Sequence, residues 1–315
     1  MEIEQELSEM TPPDETFLTI GVFDGVHAGH RYLLGKLKQR AIEENLLSGV
    51  VTFNPHPQSV LRPQNHMLWL SDIKDRVRSI KKLGIDIVVI LSFTPEISRL
   101  SAREFTSLLK KHLKMRGMLV GPDFVMGQGR EGNIDLLRSL GREMEFTVET
   151  LSPFIIDGEA VSSTLIRQAL AQGDMRKAEK LMGHHFYLKD RVTTADKRGQ
   201  DMGFPTANLD VKPQQSIPEN GVYATITHVN GKHFPSATNI GTRPTFGNGR
   251  KTVETHLIDY KDDLYDKEIK VEFVQKLRDE QRFASSRELT AQIRKDIREV
   301  KTILSQQEEI PNSRD

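Results

Sequence analysis

The chain has no cysteine. Disulfides and thiolate metal sites are therefore excluded, and cysteine usage carries no information about redox compartment. There is no excess of either charge: Lys plus Arg and Asp plus Glu both number 44, for a formal net charge of zero. That argues against binding nucleic acid through bulk positive charge, and no nucleic-acid partner is expected. Small anions held by local sites remain open. No apolar run approaches the roughly 20 residues that span a bilayer, so no membrane partner is expected. The opening "MEIEQELSEMTPPDE" is acidic and lacks the apolar centre of a signal peptide. The expectation is a cytoplasmic protein. No P-loop motif, internal repeat or low-complexity tract occurs.

What is present points to two domains, since 315 residues is about twice the usual single-domain length. After a polar extension over 1–15, apolar strand patterns alternate with amphipathic helical ones. "FLTIGVF" (17–23), "SGVVTF" (48–53), "IDIVVILSF" (85–93), "MLVGPDF" and "FTVETLSPF" read as five strands. The third is apolar enough for burial on both faces. Between them, Leu33, Leu34, Leu37 and Ala41 share a helical face, and Ser101 with Glu104 makes a capping box. This order predicts a parallel sheet with helices on both faces and ligands at the strands' C-terminal ends. After about Gly183 the texture changes to short β-rich runs separated by turn signals, a pattern of barrels and sandwiches. A last amphipathic helix opens with a Ser285/Glu288 capping box and aligns Leu289, Ile293, Ile297 and Leu304.

The first strand runs into "TIGVFDGVHAGHRYLL", where His27 and His30 sit at the start of a helix. Three readings fit: a metal site, a helix cap, or a grip on phosphate. Zinc needs further ligands, for which Asp24 and His56 are available. A helix N-terminus has unpaired N–H groups and a dipole that favours anions, and Gly21, Gly25 and Gly29 allow close backbone approach. Glycines and histidines together after a strand favour phosphate. "TFNPHP" (52–57) presents Asn54 and His56 on a proline-fixed turn, or is an ordinary strand-end turn. "VGPDFVMGQGREGN" (120–133) carries Asp123 and a glycine-rich loop around Arg130, or is a solvated turn. "VSSTLIRQAL" (161–170) offers Ser163, Thr164 and Arg167 at a helix start, or is a plain N-cap. Four such segments, in order on the strand ends of one sheet, favour a shared site. In the second half, Thr206 and Asn208 of "MGFPTANLDV" (202–211) are two apart and face one way if extended. A hydroxyl and an amide oxygen on one side suit a phosphate-bound Mg²⁺; a simple loop is the alternative.

The extended motif from Gly21 to His30 resembles that of the bacterial FAD synthetases, the bifunctional riboflavin kinase/FMN adenylyltransferases of the nucleotidyltransferase superfamily. The three later N-terminal segments resemble that family's further motifs. "GFPTAN" resembles the riboflavin kinase signature, followed in family order by "NGVYA", "NIGTRPTF", "VETHLIDY", "DLYDKEIKVEF" and "LRDEQRF". The resemblance implies a Rossmann-like nucleotidyltransferase domain over 16–183. It also implies a six-stranded riboflavin kinase-like barrel with a terminal helix over 184–306, then a polar tail over 307–315. It implies phosphorylation of riboflavin to FMN and adenylylation of FMN to FAD with release of pyrophosphate. ATP, riboflavin, FMN and FAD are the implied partners, with magnesium as Mg-ATP.

By the same resemblance, His27, His30 and Arg167 serve adenylyl transfer, with Gly21, Phe23, Asp24, Gly29, Ser163 and Thr164 at ATP. Asn54, His56, Asp123 and Arg278 serve flavin. In the barrel, Glu254 is the kinase base, though its alternating strand position also fits an outward charge. Lys197, Arg198, Gly203 and Thr206 bind the kinase ATP, and Thr206 with Asn208 holds its Mg²⁺. Departures from the family pattern are Val22 for a small polar residue, Leu165 for an arginine, Ala195 and Gln200 in the loop before the kinase signature, and Asp266 for a glycine. They leave two further readings: an adenylyltransferase with a weakly active or regulatory flavin-binding barrel, and a non-enzymatic flavin-dependent regulator.

Overall fold

Strand and helix alternate through the first half because apolar residues switch between period two and period 3.6. The structure, a computed structural model, describes residues 2–64, 67–193, 203–242 and 251–308. Two compact units divide between Ser163 and Thr164.

In the first unit, β1 (Thr16–Ile20), β2 (Leu47–Phe53), β3 (Ile87–Leu91), β4 (Met115–Val120) and β5 (Thr147–Thr150) form one sheet in the order β3-β2-β1-β4-β5. Every neighbouring pair is parallel. Successive strand residues point to opposite faces, so two cores form. Leu18, Ile20, Val51 and Phe53 lie on one face with Phe105 and Leu109 of α6 (Ala102–Leu113) and Leu137 of α7 (Ile134–Met144). Phe17, Val50 and Leu119 lie on the other, with Leu34 and Leu37 of α2 (Ala28–Glu43) and Ile80 of α4 (Ile73–Lys82). The expected parallel sheet is thus present. One detail differs: β3 is an edge strand and only Val89 and Leu91 are buried, so its apolar run does not mark burial on both faces.

The segment read as a polar extension contains a helix, α1 (Glu2–Ser8), whose Ile3 and Leu7 enter the first core. Two apolar residues four apart suffice to seat a short helix. Glu4 pairs with Lys111 at 2.6 Å, and the Glu6 carboxylate accepts from the Ser92 N–H at 3.0 Å. The Ser101/Glu104 capping box forms at the start of α6 as the sequence predicts.

The first unit also contains α5 (Pro95–Ser98) and a short antiparallel pair, β6 (Ile155–Ile156) and β7 (Glu159–Ala160); α8 (Ser163–Ala171) begins at its last residue, and α9 (Met175–Met182) follows in the second unit. That unit then closes a six-stranded antiparallel barrel, in the order β10-β11-β12-β9-β8-β13. The strands are β8 (Phe186–Thr193), β9 (Ala207–Leu209), β10 (Gly221–Val229), β11 (Lys232–Thr242), β12 (Lys251–Leu257) and β13 (Glu268–Arg278). Its interior holds Tyr223, Phe186 and Phe273 together with five buried hydroxyl residues: Thr225, Thr227, Ser236, Thr238 and Thr255. These bond to one another, as at Thr225–Thr238 (2.7 Å) and Thr238–Thr255 (2.9 Å), which meets the cost of burying them. Outside, α10 (Ser286–Glu308) lays Ile297, Val300 and Leu304 on Ala224, Ile258 and Val274. Of the expected capping box one half forms, Ser285 accepting from the Glu288 N–H, while the Glu288 carboxylate takes the Ala284 N–H at 3.2 Å, one residue earlier than the box requires. The Arg278 guanidinium grips buried Asp296 of α10 through Nε and Nη2, the latter at 2.7 Å.

Gly117 in β4 offers a test of sheet packing. A Cβ there would sit 2.3 Å from Phe17 and 2.4 Å from Thr147. Gly117→Ala is expected to destabilise the N-terminal unit by about 1–3 kcal/mol through overpacking. Trp69, the chain's single tryptophan, reports unfolding of that unit by fluorescence. An unchanged denaturation midpoint would contradict the packing described.

Candidate active sites

The N-terminal site forms where the sheet's strand order reverses. From β1 the chain moves outward through β2 to β3, then returns to place β4 on the other side of β1. The crevice beyond the C-terminal ends of such strands is where this architecture binds ligands. Four predicted segments leave from that edge or reach it. Gly21–His30 follows β1, Asn54–His56 follows β2, and Gly121–Asn133 follows β4. Ser163, at the start of α8, donates its hydroxyl to the Asp24 carbonyl at 3.0 Å.

The first loop is tightly constrained. Phe23 (φ 55°), Gly25 (φ 80°) and Val26 (φ 41°) are left-handed, costly for a buried aromatic and a β-branched residue. The Asp24 carboxylate, itself buried, accepts from the Leu70 and Ser71 N–H groups at 3.0–3.1 Å. Ser71 Oγ accepts from the Gly25 N–H at 2.9 Å. Asp24 therefore fixes the loop from beneath, rather than presenting a carboxylate to an anion.

This loop delivers His27 as the N-cap of α2. Its Nδ1 accepts from the His30 N–H at 3.3 Å, so in the neutral ring the proton sits on Nε2. The two imidazoles stack at 3.6 Å, and the edge of Phe23 lies 5.1 Å from His30. His30 Nδ1 is buried with no hydrogen-bond partner among the described residues. Burial, then His27, then Arg76 push its pKa well below the usual histidine value, leaving the ring neutral. Gly29 keeps the turn open: a Cβ there would lie 3.3 Å from the His27 ring and 3.4 Å from the Val161 carbonyl. Gly21 is similar, 3.1 Å from the Phe23 ring. Among the described residues no group of three His, Asp or Glu is placed to hold a metal.

The other N-terminal residues divide by role. Asn54 is exposed, and its backbone ties β2 to β3 through the Leu91 carbonyl at 3.0 Å. His56 is buried and caps α3 (Pro57–Leu61), with Nδ1 accepting from the Gln58 N–H at 3.0 Å. Asp123 is exposed on the turn after β4. The glycine-rich loop beyond it docks on α6, with Gly127 and Gly132 too close to Ala102 for any side chain. Thr164 is exposed and Arg167 half-buried on α8, one turn beyond Ser163 in the case of Arg167.

The barrel site is a row of side chains across neighbouring strands. Alternation buries Ala207 and Leu209 inward, so Thr206 and Asn208 share the outer face. Glu254 stands directly opposite Asn208 on one side and Asn239 on the other. Asn208 Oδ1 is buried without a hydrogen-bond partner among the described residues. His256 Nδ1 lies 2.8 Å from the Pro205 carbonyl and its ring meets Phe204 edge-on, pinning the segment before Thr206. Gly203 is left-handed (φ 81°) and exposed on the approach. Arg278 is committed to Asp296. Asp266 is exposed and pairs with Arg191 at 3.0 Å. Lys197, Arg198, Ala195 and Gln200 lie outside the described residues.

Sequence reasoning missed Leu70, Ser71 and Arg76 beneath the first site, and Asn239, His256 and Asp296 in the second. The Asp24–Leu70 contact spans 46 residues, and no local pattern announces it. Asn239 and His256 follow from β-register once the strand pairing is known.

The half-buried His30, with its Nδ1 out of reach of solvent, makes a stability prediction with a definite sign. Its folded pKa is depressed, so below about pH 6.5 the unfolded chain takes a proton that the folded one refuses. Stability of the N-terminal unit should fall as pH drops below that value, by up to about 1.4 kcal/mol per pH unit from this group. Trp69-monitored urea unfolding from pH 5 to 8 should show the extra acid slope in wild type and its loss in His30→Gln. Parallel pH profiles would contradict it.

Known proteins match both halves. A family model described as FAD synthetase matches residues 9–165, and one described as riboflavin kinase matches 182–304. The bifunctional riboflavin kinase/FMN adenylyltransferase of Escherichia coli K12 is 41% identical over 287 residues, 90% of this chain and 91% of that protein. The protein of the same name from Bacillus subtilis is 34% identical over 294 residues, 90% of this chain and 91% of its own length. A crystal structure from Streptococcus pneumoniae, described as a macrolide-efflux protein, aligns with a TM-score of 0.85 at 26% identity, covering 92% of this chain and 95% of that one. Among the described residues of the present chain, no helix is long and apolar enough to cross a membrane. With a family match in each half and curated relatives along nine-tenths of its length, the chain belongs to the bifunctional riboflavin kinase/FMN adenylyltransferase family.

Proposed function

We propose that the chain phosphorylates riboflavin to FMN in its barrel and adenylylates FMN to FAD on its parallel sheet, consuming ATP in both steps. The observation that carries this reading is that each family motif is assembled on its own fold. Paired imidazoles sit at a helix N-terminus at the sheet's switch point. Glu254 faces Asn208 across adjacent barrel strands.

In adenylyl transfer, a phosphate oxygen of FMN attacks the α-phosphorus of ATP and the bond to the β-phosphate bridging oxygen breaks, releasing pyrophosphate. No protein nucleophile is required, so the site acts by positioning and by donors aimed at developing charge. The His27 and His30 imidazoles, with free N–H groups of the first turn of α2, are assigned to the phosphates. A neutral ring still donates one hydrogen bond, and an arriving polyphosphate favours its protonated form. Gly21, Phe23 and Gly29 shape the approach of ATP; Asp24 serves it by holding the loop. Ser163 links that loop to α8, and Thr164 and Arg167 are assigned to the leaving pyrophosphate on the resemblance alone. Asn54, His56 and Asp123, on loops at the same sheet edge, are assigned to FMN.

In the kinase step, the ribityl 5′-hydroxyl attacks the γ-phosphorus and ADP leaves. Glu254 is assigned as the base that takes the hydroxyl proton. For magnesium, the orphaned Asn208 Oδ1 fits a hard cation that seeks oxygen ligands, and Thr206 adds a neutral hydroxyl beside it. Those two residues would hold the ion, which would supply positive charge to offset the negative charge on the transferring phosphoryl group. Gly203, Lys197 and Arg198 are assigned to the kinase ATP. Arg278, whose guanidinium is held by Asp296, is assigned to flavin on the resemblance alone. Asp266, where the family pattern has glycine, is exposed and pairs with Arg191, which supports an active kinase site despite the added carboxylate.

His30→Ala is expected to lower FAD formation from FMN by about 10²–10³-fold, the cost of one lost charge-stabilising donor, and to leave FMN formation intact. Equal loss of both reactions would rule out two separate sites. Glu254→Gln is expected to slow FMN formation by about 10²–10⁴-fold while FAD formation from supplied FMN continues. FMN formation at the wild-type rate would show that Glu254 is not the base.

A further inference from the structure

The guanidinium of Arg76 is a buried charge that the chemistry above leaves unexplained. Its side chain is 4% exposed, and Nη2 donates to the Ser71 carbonyl at 3.3 Å while lying 3.7 Å from Asp24 Oδ1. Both acceptors belong to the network beneath the histidine loop. Ser71 gives its N–H to Asp24 and its hydroxyl oxygen to the Gly25 N–H, so Arg76 braces the same residue from its third backbone or side-chain group. The arginine stands in the first turn of α4, a helix that packs against the 3₁₀ turn Asp24–Val26. Its backbone N–H bonds to the Asp72 carbonyl, which fixes where the side chain starts. Asp24 in turn carries the carbonyl that receives Ser163.

We propose that Arg76 is a positioning residue for adenylyl transfer: it clamps Asp24 and the Ser71 carbonyl so that the left-handed 23–26 turn aims His27 and His30 at the triphosphate. Lysine is a poor replacement, because both contacts are made by Nη2 at the outer end of a rigid guanidinium plane, and an ammonium on a shorter, flexible stem does not hold that point. The same charge acts on His30. The titratable and charged groups that act on that imidazole, among the described residues, are His27 on its own turn and Arg76 from α4. Taking Arg76 away removes a cation that disfavours the imidazolium. This inference rests on the assignment of His27 and His30 to ATP.

The test uses the full chain and lets the barrel report on overall integrity. Arg76→Met is expected to lower kcat for FAD formation about 100-fold, the scale of a misplaced reacting geometry, with KM for ATP changing far less. FMN formation should stay at the wild-type rate. The His30 titration, followed by NMR, should move up towards the ordinary histidine value. Arg76→Lys should keep the low His30 titration yet lose at least about tenfold in kcat, separating charge from geometry. Wild-type kcat in either variant overturns the proposal, as does an unmoved His30 titration in Arg76→Met. If Trp69 fluorescence shows the N-terminal unit unfolded in Arg76→Met, the Arg76→Lys kcat decides alone. Retention of FAD formation in His30→Ala would instead overturn the histidine assignment itself.

Discussion

Asp24 is a carboxylate buried to 2% exposure, and a buried charge must be met by donors or it neutralises. It is met by two backbone N–H groups from Leu70 and Ser71 and by the nearby Arg76 guanidinium. That requirement ties a turn after the first strand to a segment 46 residues later. The tie is strong enough to hold Phe23 and Val26 in left-handed conformations that cost roughly 1–3 kcal/mol each. With the turn fixed, His27 must cap α2 and His30 must stack on it. The imidazole pair is thus set before any ligand arrives, the condition under which donors stabilise a transition state without reorganising.

The barrel reaches preorganisation by another route. Closure pairs every strand, so the register of β12 against β9 and β11 alone fixes Glu254 opposite Asn208 and Asn239. The interior is laced by hydroxyls rather than filled only by hydrocarbon, and directional bonds resist register slips better than interchangeable apolar contacts. Arg278 then fastens the terminal helix through Asp296. One candidate site is held by a strained loop with a long-range anchor; the other is held by strand register. Damage to one site need not reach the other.

Much of this was legible in the sequence because it is local. Period-two and period-3.6 patterns gave the alternating first half, the Ser101/Glu104 box gave the start of α6, and Thr206 and Asn208 were placed on one face by their spacing. The strand–glycine–histidine run was readable as a turn that starts a helix capped by His27 for the same reason. What could not be read is non-local. Arg76 and Ser71 look like ordinary residues of a helix start, and only the fold brings them under Asp24. The apolar run of β3 suggested a central strand, but strand order decides burial, and it placed β3 at the edge. Ile3 and Leu7 were hidden in an acidic segment because two apolar residues make no visible pattern.

If the histidine loop holds the triphosphate as proposed, attack falls on the α-phosphorus of ATP and pyrophosphate leaves. The most direct measurement supplies the purified chain with FMN and ATP radiolabelled on either the α- or the γ-phosphorus and follows the label. The expected result is α-label in FAD and γ-label in pyrophosphate. FAD without α-label, or γ-label released as free phosphate without labelled pyrophosphate, would contradict the assignment.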